Sequence, residues 1–210
     1  MLITAIKSFF SKSKSDKSEE KPALRKLSSP AELKEEASVS TVFTDIGELS
    51  KQRFVLGAPS FIQNDEESVI PIYPLLGGEK LQLIPSSAGT LTFLKKLTRQ
   101  EAIDLFTEEA IAEFFNADDI INLEVKGHPD NIDSGWFESI GETYFFHKSV
   151  HCYISQDDHI TEDEQVDHHM LQSGDEKRQL HFYVGDGGET TIYVAVTYQA
   201  DRVIDEMVGR

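Results

Sequence analysis

All seven histidines of this 210-residue chain fall between positions 128 and 181, in its most acidic stretch. Imidazoles set among carboxylates can bind a divalent metal, move protons or sense pH. His147 and His151 stand four apart in a segment that alternates as a strand, so both project from one face with Ser149 between them. Four residues of strand advance about 13 Å at about 3.3 Å each. One ion with metal–nitrogen bonds of about 2 Å does not span that distance. The pair chelates only where the segment bulges or is helical. His168 and His169 follow Asp167 and the run Asp157, Asp158, Glu162, Asp163 and Glu164. Adjacent histidines point oppositely on a strand, so they reach one ion only through loop geometry. One expectation is therefore a metal-dependent, hydrolase-like enzyme that takes a divalent ion, zinc among the candidates, from His147, His151, Asp167, His168, His169 and His181. The other is a set of solvated histidines on an acidic surface with no cofactor. A third, pH-responsive binding, follows because nearby carboxylates favour the imidazolium form.

Other catalytic patterns are missing. The chain has no His-Glu-x-x-His, no calcium loop with its turn glycine, no Gly-x-Ser-x-Gly elbow and no phosphate-cradling glycine loop. Cys152, the single cysteine, lies in an apolar strand where burial raises a thiol pKa. Gly185-Asp186-Gly187-Gly188 reads as a hairpin turn, and the acids around it repel phosphate. The sequence thus leans away from an enzyme.

These residues need a scaffold. Thr98 and Glu101 form a capping box, and Ile103, Phe106, Ala110, Ile111, Phe114 and Phe115 recur at helical spacing over about 99–116. Thr107, followed by two acids, is an alternative restart that would make two short helices. Strands are expected over 53–56, 61–63, 69–73, 80–84, 90–94, 120–125, 142–154, 180–184 and 190–198. In the 142–154 strand, Tyr144, Phe146, Val150, Cys152 and Ile154 share the apolar register, leaving His147 and His151 toward solvent or a cleft. Asp201 is placed to cap a last short helix. The expected fold class is α+β: a largely antiparallel sheet, one principal amphipathic helix (about 99–116) and a short C-terminal helix.

Charge divides the chain. Residues 1–34 hold eight bases against four acids, the remainder twelve against 33, for a net charge of −17. We therefore expect a flexible basic leader over 1–38, with at most a thin helix near 31–37 after Ser29 and Pro30, and a single acidic domain over 39–210. Leu2, Ile3, Ile6, Phe9 and Phe10 form one apolar stripe beside Lys7, so residues 1–17 suit reversible contact with an anionic membrane surface or a partner. Trp136-Phe137 is a candidate anchor for a protein partner. An acidic body disfavours nucleic acid. A lone cysteine suits a reducing compartment, and no apolar run is long enough to span a bilayer, so the expected location is cytoplasmic with peripheral contact at the inner membrane face. The expected function is a non-enzymatic interaction or accessory protein. Its acidic domain binds an unidentified protein, and its leader acts as tether.

Overall fold

A computed structural model of the chain describes residues 23–64, 69–116, 121–155 and 165–210. Segments rich in β-branched and aromatic residues form thirteen strands there. They are β1 (Arg25–Lys26), β2 (Ser38–Thr41), β3 (Arg53–Leu56), β4 (Ser60–Asn64), β5 (Val69–Leu76), β6 (Leu81–Pro85), β7 (Thr90–Leu97), β8 (Leu123–Glu124), β9 (Thr143–Ser155), β10 (Gln165–Ser173), β11 (Arg178–Gly185), β12 (Thr190–Gln199) and β13 (Ile204–Gly209). The helices are α1 (Arg99–Phe106), α2 (Glu108–Asn116) and the single turn α3 (Ala200–Val203).

Eight strands close into an antiparallel barrel in the order β4-β9-β10-β11-β12-β7-β6-β5. The ring is sealed where β5 pairs with β6 at Tyr73↔Leu83 and Pro74↔Gln82, and with β4 from Ser60↔Ile72 to Gln63↔Val69. Strand covers 49% of the described residues and helix 16%. The expected α+β fold with one principal helix is thereby overturned. The physical reason lies in strands such as β12, where Ile192, Val194 and Val196 occupy one register and Tyr193 and Ala195 the other. A sheet with one wet face alternates apolar with polar, whereas these strands are buried on both sides.

One side is the barrel interior. On the other, an outer layer covers the barrel and forms the main core. There Leu83, Phe93, Leu180, Phe182 and Val194 pack with Leu105 and Phe106 of α1 and with Trp136. The layer includes a second antiparallel sheet, β1-β13-β2-β3, joined to β5 through Val55↔Leu76 and Leu56↔Leu75. The chain passes from this sheet into the barrel at Gly57-Ala58-Pro59. A Cβ on Gly57 would stand 2.9 Å from Pro74 Cγ, so the bend requires glycine.

Three local expectations also change. The helical stretch 99–116 is two helices, because Thr107 takes φ 72° and breaks the run. The Thr98–Glu101 capping box opens α1, and Thr107 Oγ1 accepts from Ala110 N at 3.2 Å to open α2. The C-terminal segment is one turn without a side-chain cap, followed by β13 paired to β2. Residues 23–38, assigned to the leader, are packed: Leu27, Leu33 and Ala37 are buried, and Leu27 N donates to Met207 O at 2.8 Å. The folded unit therefore begins ahead of the expected boundary. Leu2, Ile3, Ile6, Lys7, Phe9 and Phe10 lie outside the described residues, as does the acidic run 157–164.

Candidate ligand-binding site in the barrel

Alternation along each barrel strand sends every second side chain inward. The inward set leaves a cavity of about 290 Å³ to which all eight strands contribute. Its wall is apolar, with Ile62 from β4, Ile72 from β5, Leu94 from β7, Ile154 from β9 and Val166 from β10. Polar atoms come from Ser60 of β4, Gln82 of β6, Tyr183 of β11 and Tyr193 of β12. Glu189 and Thr191 close one end, where the hairpin between β11 and β12 turns. The Tyr183 and Tyr193 rings stand at 83° with centroids 5.9 Å apart. Burial raises both phenol pKa values, so each is a neutral hydrogen-bond donor. Gln82 hydrogen-bonds the Tyr193 side chain.

Beside this cavity the rings form a ladder. His168 stacks on Tyr183 with centroids at 4.5 Å and on His181 at 5.1 Å. His168 Nε2 is 3.0 Å from His181 Nδ1, and His181 Nε2 is 3.1 Å from Gln179 Oε1. If Gln179 accepts, His181 carries its proton on Nε2, and its bare Nδ1 accepts from His168 Nε2–H. His181 is then neutral. Burial, followed by the charges of His181, Lys148 and His169, pushes His168 down to about 2. Burial and then Lys148 push His181 to about 4. The expectation of histidines titrating above their usual value does not hold for these two, because desolvation outweighs the distant carboxylates.

The barrel wall separates the expected metal ligands. His168 and His181 face inward. His151 and Asp167 pair across β9 and β10 on the outer surface, with Nδ1 and Oδ1 at 2.5 Å. His169 is on that outer side too, 2.9 Å from Ser149 Oγ and edge-on to Phe114 of α2 at 5.8 Å. Burial lowers the His169 pKa, with Asp167 opposing the shift. His147 occupies a bulge: Lys148 pairs with Met170 and Phe146 with Leu171, so His147 is the extra residue. Among the described residues, no three His, Cys, Asp or Glu side chains gather as a metal-binding group.

The bulge also corrects the expected register of β9. Tyr144 belongs to the main outer core, while Cys152 packs with Ile62 and Tyr183 in the interior. One inserted residue moved them to opposite faces. Trp136 and Phe137 are buried, at 0% and 4% exposure, so neither is an exposed partner anchor. Trp136 Nε1 donates to Glu48 Oε1 at 3.0 Å, and the same oxygen meets Lys95 Nζ at 2.5 Å.

The sequence reading passed over Tyr183, Tyr193, Gln82 and Glu189. The available signal was the inward register of β11 and β12, where Tyr183, Tyr193 and Ala195 alternate with residues that are equally apolar. No protein-family model, curated protein or solved structure matches this chain.

Proposed function

We propose that this chain is a non-catalytic binding protein whose barrel interior holds one small molecule with a largely apolar body. The observation that carries the reading is the cavity of about 290 Å³ built from all eight strands, apolar in its wall and with few polar groups. Ligand sites have this composition, and small closed barrels use their interiors in this way. The volume lies just below the usual range of roughly 300–1,000 Å³, which limits the ligand to about the size of a single- or fused-ring compound. The two neutral tyrosines supply directional hydrogen bonds, while the inward histidines are held uncharged.

The test is ligand-observed NMR titration with a panel of small probes, neutral and charged, each with a compact apolar body. We expect saturable one-to-one binding by at least one probe in the wild type, lost in Leu94→Trp, which fills the interior. Ile154→Phe, a milder filling, is expected to weaken the same probe. Absence of binding across the panel, or binding that survives both substitutions, overturns the reading.

The interaction role read from the sequence is retained as a separate proposal, with residues 1–17 tethering the protein to an anionic membrane surface or a protein partner. Among the described residues no helix is long and apolar enough to cross a membrane. Equal pelleting with anionic liposomes of the full chain and a chain starting at Ala23 would remove the membrane tether.

A further inference from the structure

The barrel cavity carries more information than size and polarity. Three features converge on one chemical class. First, two aromatic rings meet there at close to a right angle, Tyr183 and Tyr193 at 83°. The faces of such rings carry the negative part of the quadrupole and attract a cation placed against them. Second, Glu189 lines the same cavity at its hairpin end. Its side chain folds back over Gly185 and Gly187, where a Cβ on either would collide with it, so the glycines of this turn make room for the acid. Third, among the described residues no Lys, Arg or His lines the cavity. Lys148 stands opposite Met170 on the inward register and acts on His168 and His181, but it is outside the lining of this cavity.

We propose that the barrel selects a small organic cation, an alkylammonium or quaternary ammonium compound, with its charged head between Tyr183, Tyr193 and Glu189 and its alkyl groups against Ile62, Leu94 and Ile154. This rests on the reading of the interior as a ligand site and names the ligand class. A neutral ligand would gain from the apolar wall but not from the carboxylate. An anionic ligand would meet Glu189 and the field of a chain with net charge −17, which draws cations toward the mouth. A quaternary head is also weakly hydrated and makes dispersion contact with both rings while its charge is shared with the acid.

The experiment compares choline with 3,3-dimethylbutan-1-ol, which has the same shape without the charge. Both are titrated by NMR or calorimetry into the full chain, its Glu189→Gln form and its Tyr193→Leu form. We expect choline to bind at least roughly tenfold more tightly than the alcohol. Glu189→Gln should remove most of that difference by weakening choline far more than the alcohol. Tyr193→Leu should weaken choline more than the alcohol, and added salt should weaken choline alone. Glu189 is exposed on a turn, so its substitution leaves the fold intact and keeps the comparison interpretable. Equal affinity for the two compounds overturns the cation assignment while leaving the barrel as a ligand site. Binding of choline that Glu189→Gln does not change also overturns it. Failure of both compounds together with the wider probe panel removes the ligand site itself.

Discussion

His168 Nε2 and His181 Nδ1 lie 3.0 Å apart inside the barrel, their rings stacked at 12°. The contact needs one nitrogen to donate and the other to accept, so the accepting ring is neutral, and burial holds its partner neutral as well. The pair links neighbouring strands β10 and β11 across the register Met170↔His181 and His168↔Tyr183. A charge placed here is desolvated and meets Lys148 besides.

The first prediction concerns acid stability. Both folded-state values, about 2 for His168 and about 4 for His181, lie below the ordinary 6.5. The unfolded chain then binds protons more readily, and stability rises with pH. The contribution is complete above about pH 6.5. It falls as pH drops from 6.5 toward 4 for His181, and on toward 2 for His168. By pH 5 each histidine is expected to cost about 2 kcal/mol. Urea unfolding at pH 7.5 and 5.0 checks this against a His168→Gln, His181→Gln double variant, whose acid sensitivity should be smaller. An equal loss in both proteins would reject the assignment.

The second concerns the Lys95–Glu48–Trp136 contact beneath the outer layer. Lys95 is almost fully buried, and its Nζ shares Glu48 Oε1 with the indole. Glu48→Ala strands an ammonium group away from water, and we expect a loss of roughly 2–4 kcal/mol in chemical denaturation. Lys95→Met added to Glu48→Leu should recover much of it. A single substitution that costs nothing would show the contact to be dispensable.

The third concerns the bulge at His147. Deleting this residue would bring Phe146, still opposite Leu171, directly beside Lys148, still opposite Met170, and turn the bulge into a regular ladder. Tyr144 would keep the face on which its ring stands T-shaped on Phe106 at 6.1 Å. The deletion is therefore expected to retain a dispersed amide NMR spectrum, whereas an alanine inserted between Tyr144 and Phe145, which turns Tyr144 to the opposite face, should abolish it. Loss of the spectrum in the deletion variant would refute the bulge.

The fourth concerns the loop that closes α1. Lys126 N donates to Leu105 O at 2.8 Å, and a Cβ on Gly127 would lie only 2.2 Å from Asp104 O. Backbone cannot yield as a side-chain end does. Gly127→Ala should cost at least about 2 kcal/mol, measured as a lowered urea midpoint. Gly141→Ala has open space but a positive φ, so its smaller loss of about 1 kcal/mol calibrates conformational strain alone.

Local chemistry was legible without coordinates. The Thr98–Glu101 capping box, the restart at Thr107, the hairpin at Gly185–Gly188 and the burial of Cys152 all depend on residues near one another in the chain. The metal set and the partner anchor were not legible, because each supposed a face. Face in a strand is a matter of parity, and the bulge at His147 reverses it between Tyr144 and Cys152. Closure was hidden for a related reason. Whether eight antiparallel strands lie open or form a ring is decided by one pairing, β5 with β6, whose residues carry no mark that separates the two outcomes. The sequence by itself determined where this chain makes most of its strands, its capped helix and its turns, because those follow from neighbouring residues. Only the tertiary structure decided that one side of the strands encloses a cavity, because an interior exists only once the last hydrogen-bonded edge is joined.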